Sequence, residues 1–63
     1  MSGKNLQIER IRAGIKQWEM VEALKIDQSL LSKIENDRIN VSESMEQLYL
    51  NKLRELKNKK YGN

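Results

Sequence analysis

The residues of this chain best equipped for chemistry are two glutamines and a short run of hydroxyl and basic side chains. Gln28, Ser29, Ser32 and Lys33 fall close together, Gln17 precedes them, and Lys16, Arg38 and Asn40 flank the group. A glutamine amide carries a donor and an acceptor side by side, so it can bond two neighbouring groups on one flat edge, such as N6 and N7 of an adenine. Lys16, Lys33 and Arg38 are cations of the kind that hold phosphate oxygens. Covalent and metal chemistry have little to work with, because the chain has no Cys and no His. That removes the commonest metal ligands and the commonest general base. No nucleophile–base pair or metal cluster can be assembled from what is left, so we expect recognition rather than catalysis, with no metal and no cofactor.

Side chains spread over some twenty positions act together only if regular elements hold them. Proline is absent, only three glycines occur, and β-branched residues are scattered, so an all-α fold is expected. A first helix is read from about Leu6 to Ala13, with Ile8 and Ile11 inward and Gly14 as its stop. A second runs from about Gln17 to Leu24, with Met20, Val21 and Leu24 on one stripe. Lys25–Asp27 is then a tight turn, and Asp27 is the expected N-cap of a third helix from Gln28 to Asn36. Leu31 and Ile34 form the inner face of that helix. Ser42 or Ser44 caps a fourth helix, about 43–59, whose apolar residues are Met45, Leu48, Tyr49, Leu50, Leu53 and Leu56. Met1–Asn5 and Tyr61–Asn63 read as frayed ends.

Sixty-three residues suggest one domain, 1–63, and a chain this short buries only about 60% of its unfolded surface. Dimerisation is the available stabiliser, since disulfides are excluded. Twelve Lys and Arg against nine Asp and Glu give a net charge of +3, a weak pointer to nucleic acid on its own. No apolar run approaches the ~20 residues of a membrane span, and the N-terminus lacks the apolar region of a secretion signal, so a cytoplasmic protein without membrane contact is expected.

The residues around the turn narrow the reading. Gly14-Ile15-Lys16-Gln17, then Met20-Val21-Glu22-Ala23-Leu24-Lys25-Ile26-Asp27-Gln28-Ser29, then Leu31-Ser32-Lys33-Ile34-Glu35-Asn36 resemble the Cro and lambda-repressor-like helix-turn-helix family. The family pattern is roughly G-L-S-Q-x-x-L-A-x-x-L-G-V-S-x-x-x-I-S-x-I-E-x-G, with a loop ending N-P-S, and the offsets match without a gap from Gly14 to Ser42. Four departures stand out. Lys16 replaces Ser or Thr, Lys25 and Asp37 replace glycines, and Val41 replaces Pro. A left-handed Lys25 would cost roughly 0.5–1 kcal/mol relative to glycine.

The resemblance implies a compact domain of four or five helices with a helix-turn-helix at about 17–36. It implies a sequence-specific regulator of double-stranded DNA, of the phage or mobile-element repressor type, binding an inverted-repeat operator as a homodimer. Gln28, Ser29 and Ser32 are then the base contacts, and Lys16, Gln17, Lys33, Arg38 and Asn40 the backbone contacts, with Gln17 bracing Gln28. Arg10 and Glu35 form a structural ion pair beneath the DNA-facing surface. Leu50, Leu53 and Leu56 are assigned to dimerisation, because Leu53 and Leu56 should lie beyond the reach of three short helices. Leu30 either meets a thymine methyl or is half-buried beside Asp27 and Ile26. Trp18 is either half-buried against Lys25 or free to touch DNA or a protein partner. The alternative reading is a protein-interaction module, anti-repressor or antitoxin-like, that keeps the fold and binds DNA weakly.

Overall fold

A computed structural model describes residues 1–62 and contains four α-helices: α1 (Gly3–Arg12), α2 (Gln17–Leu24), α3 (Gln28–Glu35) and α4 (Glu43–Tyr61). There is no strand among the described residues. Of the expected frayed C-terminus, Tyr61 belongs to α4, and Asn63 lies outside the described residues.

Helix α1 begins three residues earlier than its apolar spacing suggests, and the N-terminal segment is tied down rather than frayed. The Ser2 hydroxyl accepts from the Asn5 N–H at 3.1 Å, the Gly3 N–H donates to Asp37 Oδ1 at 2.8 Å, and the Met1 ammonium meets Glu46 at 2.8 Å. Gly3 sits so close to α3 that a Cβ there would overlap the Ile34 carbonyl. This docking sets the rotation of α1. Its buried face is Gly3, Leu6 and Arg10, whereas Ile8 and Ile11, expected inward, are 42% and 59% exposed. The inward stripe follows the 3–4 residue helical spacing from Gly3, and that spacing carries Ile8 and Ile11 round to solvent.

Gly14, at φ 73, turns the chain out of α1, and the Ile15 N–H reaches back to the Arg10 carbonyl at 3.1 Å to close the helix end. Lys25 ends α2 in the left-handed conformation that glycine adopts freely (φ 57, ψ 47). Its N–H still donates to the Val21 carbonyl at 2.9 Å. Asp37 is left-handed too, at φ 58, and its carboxylate takes up the Gly3 N–H. An acceptor at the start of α1 suits the positive end of that helix's dipole. Asp27 holds the N-cap position of α3 with extended backbone, yet its carboxylate takes no helix N–H. It is exposed, where water solvates it equally well. At α4 the cap is Ser42, whose hydroxyl accepts from the Met45 N–H at 3.1 Å. From there α4 runs as one helix to Tyr61.

The core is Leu6, Ile15, Met20, Leu24, Leu31, Tyr49 and Leu53, with Ile34 also buried. Each such side chain contributes on the order of 1.5–3 kcal/mol by leaving water. Helix α4 packs on both α1 and α2, which themselves pack on α3. This overturns the expectation that Leu53 and Leu56 lie beyond reach. Leu53 is 7% exposed, and Leu50 and Leu56 are half-buried against the same core. The α1–α2 turn runs alongside α4 to its last turn, where Lys60 Nζ bonds the Gly14 carbonyl at 3.0 Å. Of the leucines of α4, Leu48 is the one left outside, 41% exposed. No helix among the described residues is long and apolar enough to cross a membrane.

Candidate nucleic-acid interface

Three residues, Lys25, Ile26 and Asp27, join the end of α2 to α3, and the crossing of the two helices brings Gln28 at the start of α3 against Gln17 at the start of α2. Gln28 and Ser29 open α3 and are exposed. Gln28 Nε2 donates to Gln17 Oε1 at 3.2 Å, joining the heads of the two helices through their amides. One turn further, Ser32 and Lys33 share a shallow hollow with Gln28, Ser29, Asn36 and Arg38. Two cations, Lys33 and Arg38, thus border polar groups able to donate or accept. Lys16 caps α2 from an exposed position next to Gln17. Its own N–H is taken by Glu19 Oε1 at 3.0 Å, and a lysine side chain offers no acceptor in return. That bond is the main reason the Glu19 carboxyl is held below its ordinary pKa, with Lys60 adding to it.

Asn40 is exposed but does not line this hollow. It lines a different hollow with Met1, Ser2, Gly3 and Asp37 at the foot of α1. Asn36, which the sequence reading passed over, stands on the interface side. Its amide donates to the Ser32 carbonyl at 2.8 Å and to the Ser32 hydroxyl at 3.2 Å, orienting that hydroxyl. The one signal for it was the i, i+4 spacing from Ser32. Leu30, in the first turn of α3, is 37% exposed.

Behind the surface lies a charged centre that joins all four helices. Glu35 is 0% exposed and accepts Arg10 Nε at 2.8 Å and Nη2 at 3.0 Å, a two-pronged pair. Arg10 is 7% exposed and gives Nη1 to the Ile15 carbonyl at 2.9 Å. Tyr49, from α4, donates its hydroxyl to Glu35 at 2.7 Å, and Gln17 Nε2 completes the set at 3.4 Å. Burial opposes the charge on Arg10, but the bonds and charge of Glu35 outweigh it and hold the guanidinium above its ordinary pKa. Burial first, and then the Glu35 bond, push the Tyr49 phenol well above its usual range. Every buried side-chain polar atom of the described residues has a partner. An unbroken line of hydrogen bonds therefore runs from the core through Glu35 and Gln17 to Gln28 at the surface. Tyr49 read in the sequence only as a core aromatic; its hydroxyl gave no motif by which to find this role.

Trp18 is not half-buried against Lys25. It is 60% exposed and lines a groove with Glu22, Ala23, Leu56, Lys59 and Lys60 between α2 and α4. No group of three acidic side chains capable of holding a metal ion occurs among the described residues. Compared with known proteins, the chain matches no family model, no curated protein and no solved structure.

Proposed function

We propose that the chain is a helix-turn-helix regulator that binds double-stranded DNA in a sequence-dependent way through the start of α3. The observation that carries this reading is the Gln17–Gln28 amide bond at the exposed heads of α2 and α3. An amide held by a neighbour presents its remaining donor and acceptor in a fixed direction, as a bidentate contact to adenine requires. Ser29, Ser32 and Leu30 offer further base contacts on the same helix. Lys16, Lys33 and Arg38 are suited to the flanking phosphates, which supply affinity without sequence information. Asn40, beside the hollow at the foot of α1, is a further candidate for the backbone set. By resemblance, the regulator is a repressor of phage or mobile-element type acting on an inverted repeat as a homodimer. Because Leu53 is committed to its own core, such a dimer would use Leu48 and the half-buried Leu50 instead.

Selection of bound sequences from random duplex DNA tests the reading, with enrichment of an inverted repeat as the expected result. On the selected site, Gln28→Ala should weaken binding by about 1–3 kcal/mol and relax preference at one base pair. Recovery of no preferred sequence, with weak and uniform duplex binding, would instead favour the protein-interaction module.

A further inference from the structure

The net positive charge of the chain is not spread evenly. Residues 52–60 hold five cations (Lys52, Arg54, Lys57, Lys59, Lys60) to one anion (Glu55), while the other residues hold seven cations to nine less one, or eight, anions. All of the excess therefore sits on the second half of α4. Lysines near a helix C-terminus are favoured by the dipole wherever they occur, so their number alone says nothing of a partner. Their placement does. Lys60 bonds the Gly14 carbonyl at 3.0 Å and Glu19 at 3.3 Å, which fixes the last turn of α4 beside the first turn of α2. Tyr61 lies over Gly14 and closes the same junction. The cationic end of α4 is thereby continuous with Lys16 and Gln17, and through Gln17 with Gln28. Between the two helices stands Trp18, the single tryptophan of the chain, 60% exposed. A large indole left in water on a chain with so small a core is better explained by a partner than by packing.

We infer that Lys59 and Lys60 of α4, with Trp18 and Lys16, form a second contact with the DNA backbone, gripping phosphates that flank those next to α3. The inference rests on the DNA reading above and extends the footprint beyond the helix-turn-helix. Charge complementarity selects the occupant. Glu19, on the groove wall, is already engaged by Lys60 and by the Lys16 N–H, so the exposed Lys59 and Lys16 face outward with Glu22 as the remaining opposing charge. The indole N–H is a donor only, which matches a phosphate oxygen, and the ring offers an apolar face to a sugar.

The single tryptophan makes the test direct. Wild-type protein is titrated with a mixed-sequence duplex of about 30 base pairs at several salt concentrations, following indole emission and, independently, anisotropy of labelled DNA. Binding should change the Trp18 emission. Lys59→Gln should lower the slope of log affinity against log salt by about 0.9, and Lys59→Gln/Lys60→Gln by about 1.8. Between about 50 and 200 mM salt the double variant then loses roughly tenfold less affinity than wild type. Lys59→Gln spares the Lys60 anchor, so a folding defect in the double variant, seen by thermal melting, leaves the single variant decisive. Duplex binding with unchanged emission and unchanged slopes would overturn this inference and leave the α3 interface standing. Failure of wild type to bind any duplex would overturn both.

Discussion

Replacing Glu35 with leucine is expected to unfold most of the protein at 25 °C, although leucine is apolar and of similar size. Glu35 is fully buried and accepts four hydrogen bonds, two from Arg10 and one each from Tyr49 and Gln17. Without it, a guanidinium that is 7% exposed keeps only the Ile15 carbonyl, and the Tyr49 hydroxyl loses its acceptor. Breaking a buried pair from one side costs about 3–5 kcal/mol, and an orphaned buried hydroxyl about 1–3 more. The two overlap, because they share one acceptor. A domain of this length has roughly 3–9 kcal/mol in all, at about 0.05–0.15 kcal/mol per residue. The loss therefore matches most of the total. Arg10→Met alone should be nearly as severe, while Arg10→Met/Glu35→Leu/Tyr49→Phe, which removes the buried charges and the phenol together and leaves only the Ile15 carbonyl and the Gln17 amide without their partners, should recover much of the stability. Urea unfolding followed by far-ultraviolet circular dichroism gives the energies. Glu35→Gln, which keeps the shape and one acceptor, holds the Arg10 double-mutant cycle in a measurable range. Effects of Arg10 and Glu35 substitutions that add to within about 0.5 kcal/mol would show that the pair does not act as a unit and refute the reasoning.

The remaining predictions concern the same frame. Folding favours the protonated Tyr49 phenol more than the unfolded chain does, so its contribution is complete below the ordinary phenol value of 10.0 and is lost as pH rises above it. Stability should fall above that pH by up to ~1.4 kcal/mol per unit from this group, and Tyr49→Phe should remove that part of the slope in urea titrations at successive pH values. Lys25→Gly relieves a left-handed lysine and should raise stability by roughly 0.5–1 kcal/mol, read as a higher urea midpoint; a lower midpoint would mean that the lysine side chain compensates its backbone. Leu53→Ala should cost about 2–5 kcal/mol whatever the protein concentration, because the leucine fills its own core. A cost that vanishes on dilution would return Leu53 to a dimer interface.

The helical class, the bounds of α2 and the start of α3 were legible in the sequence because local signals agreed there. The absence of proline, the 3–4 residue spacing of Met20, Leu24, Leu31 and Ile34, and Gly14 at the one turn where φ is positive for a glycine all point the same way. The candidate surface residues Gln17, Gln28, Ser29, Ser32, Lys33 and Arg38 came from the resemblance around the turn, and the structure groups Gln28, Ser29, Ser32, Lys33 and Arg38 about one hollow with Gln17 bonded to Gln28. The register of α1 was not legible. Ile8 and Ile11 make a stripe as apolar as any other, and only the close approach of Gly3 to Ile34, with Arg10 drawn inward by Glu35, decides which face is buried. Nor could local spacing fix the fate of Leu53 and Leu56, because the leucine pattern of α4 is the same whether the covering surface is another copy or the chain's own α1–α2 turn. That turn folds along α4 as far as Lys60. The bond from Tyr49 to Glu35 spans fourteen residues and that from Lys60 to Gly14 spans forty-six. Contacts at such separations depend on how the helices pack as rigid bodies, a property of all four helices together.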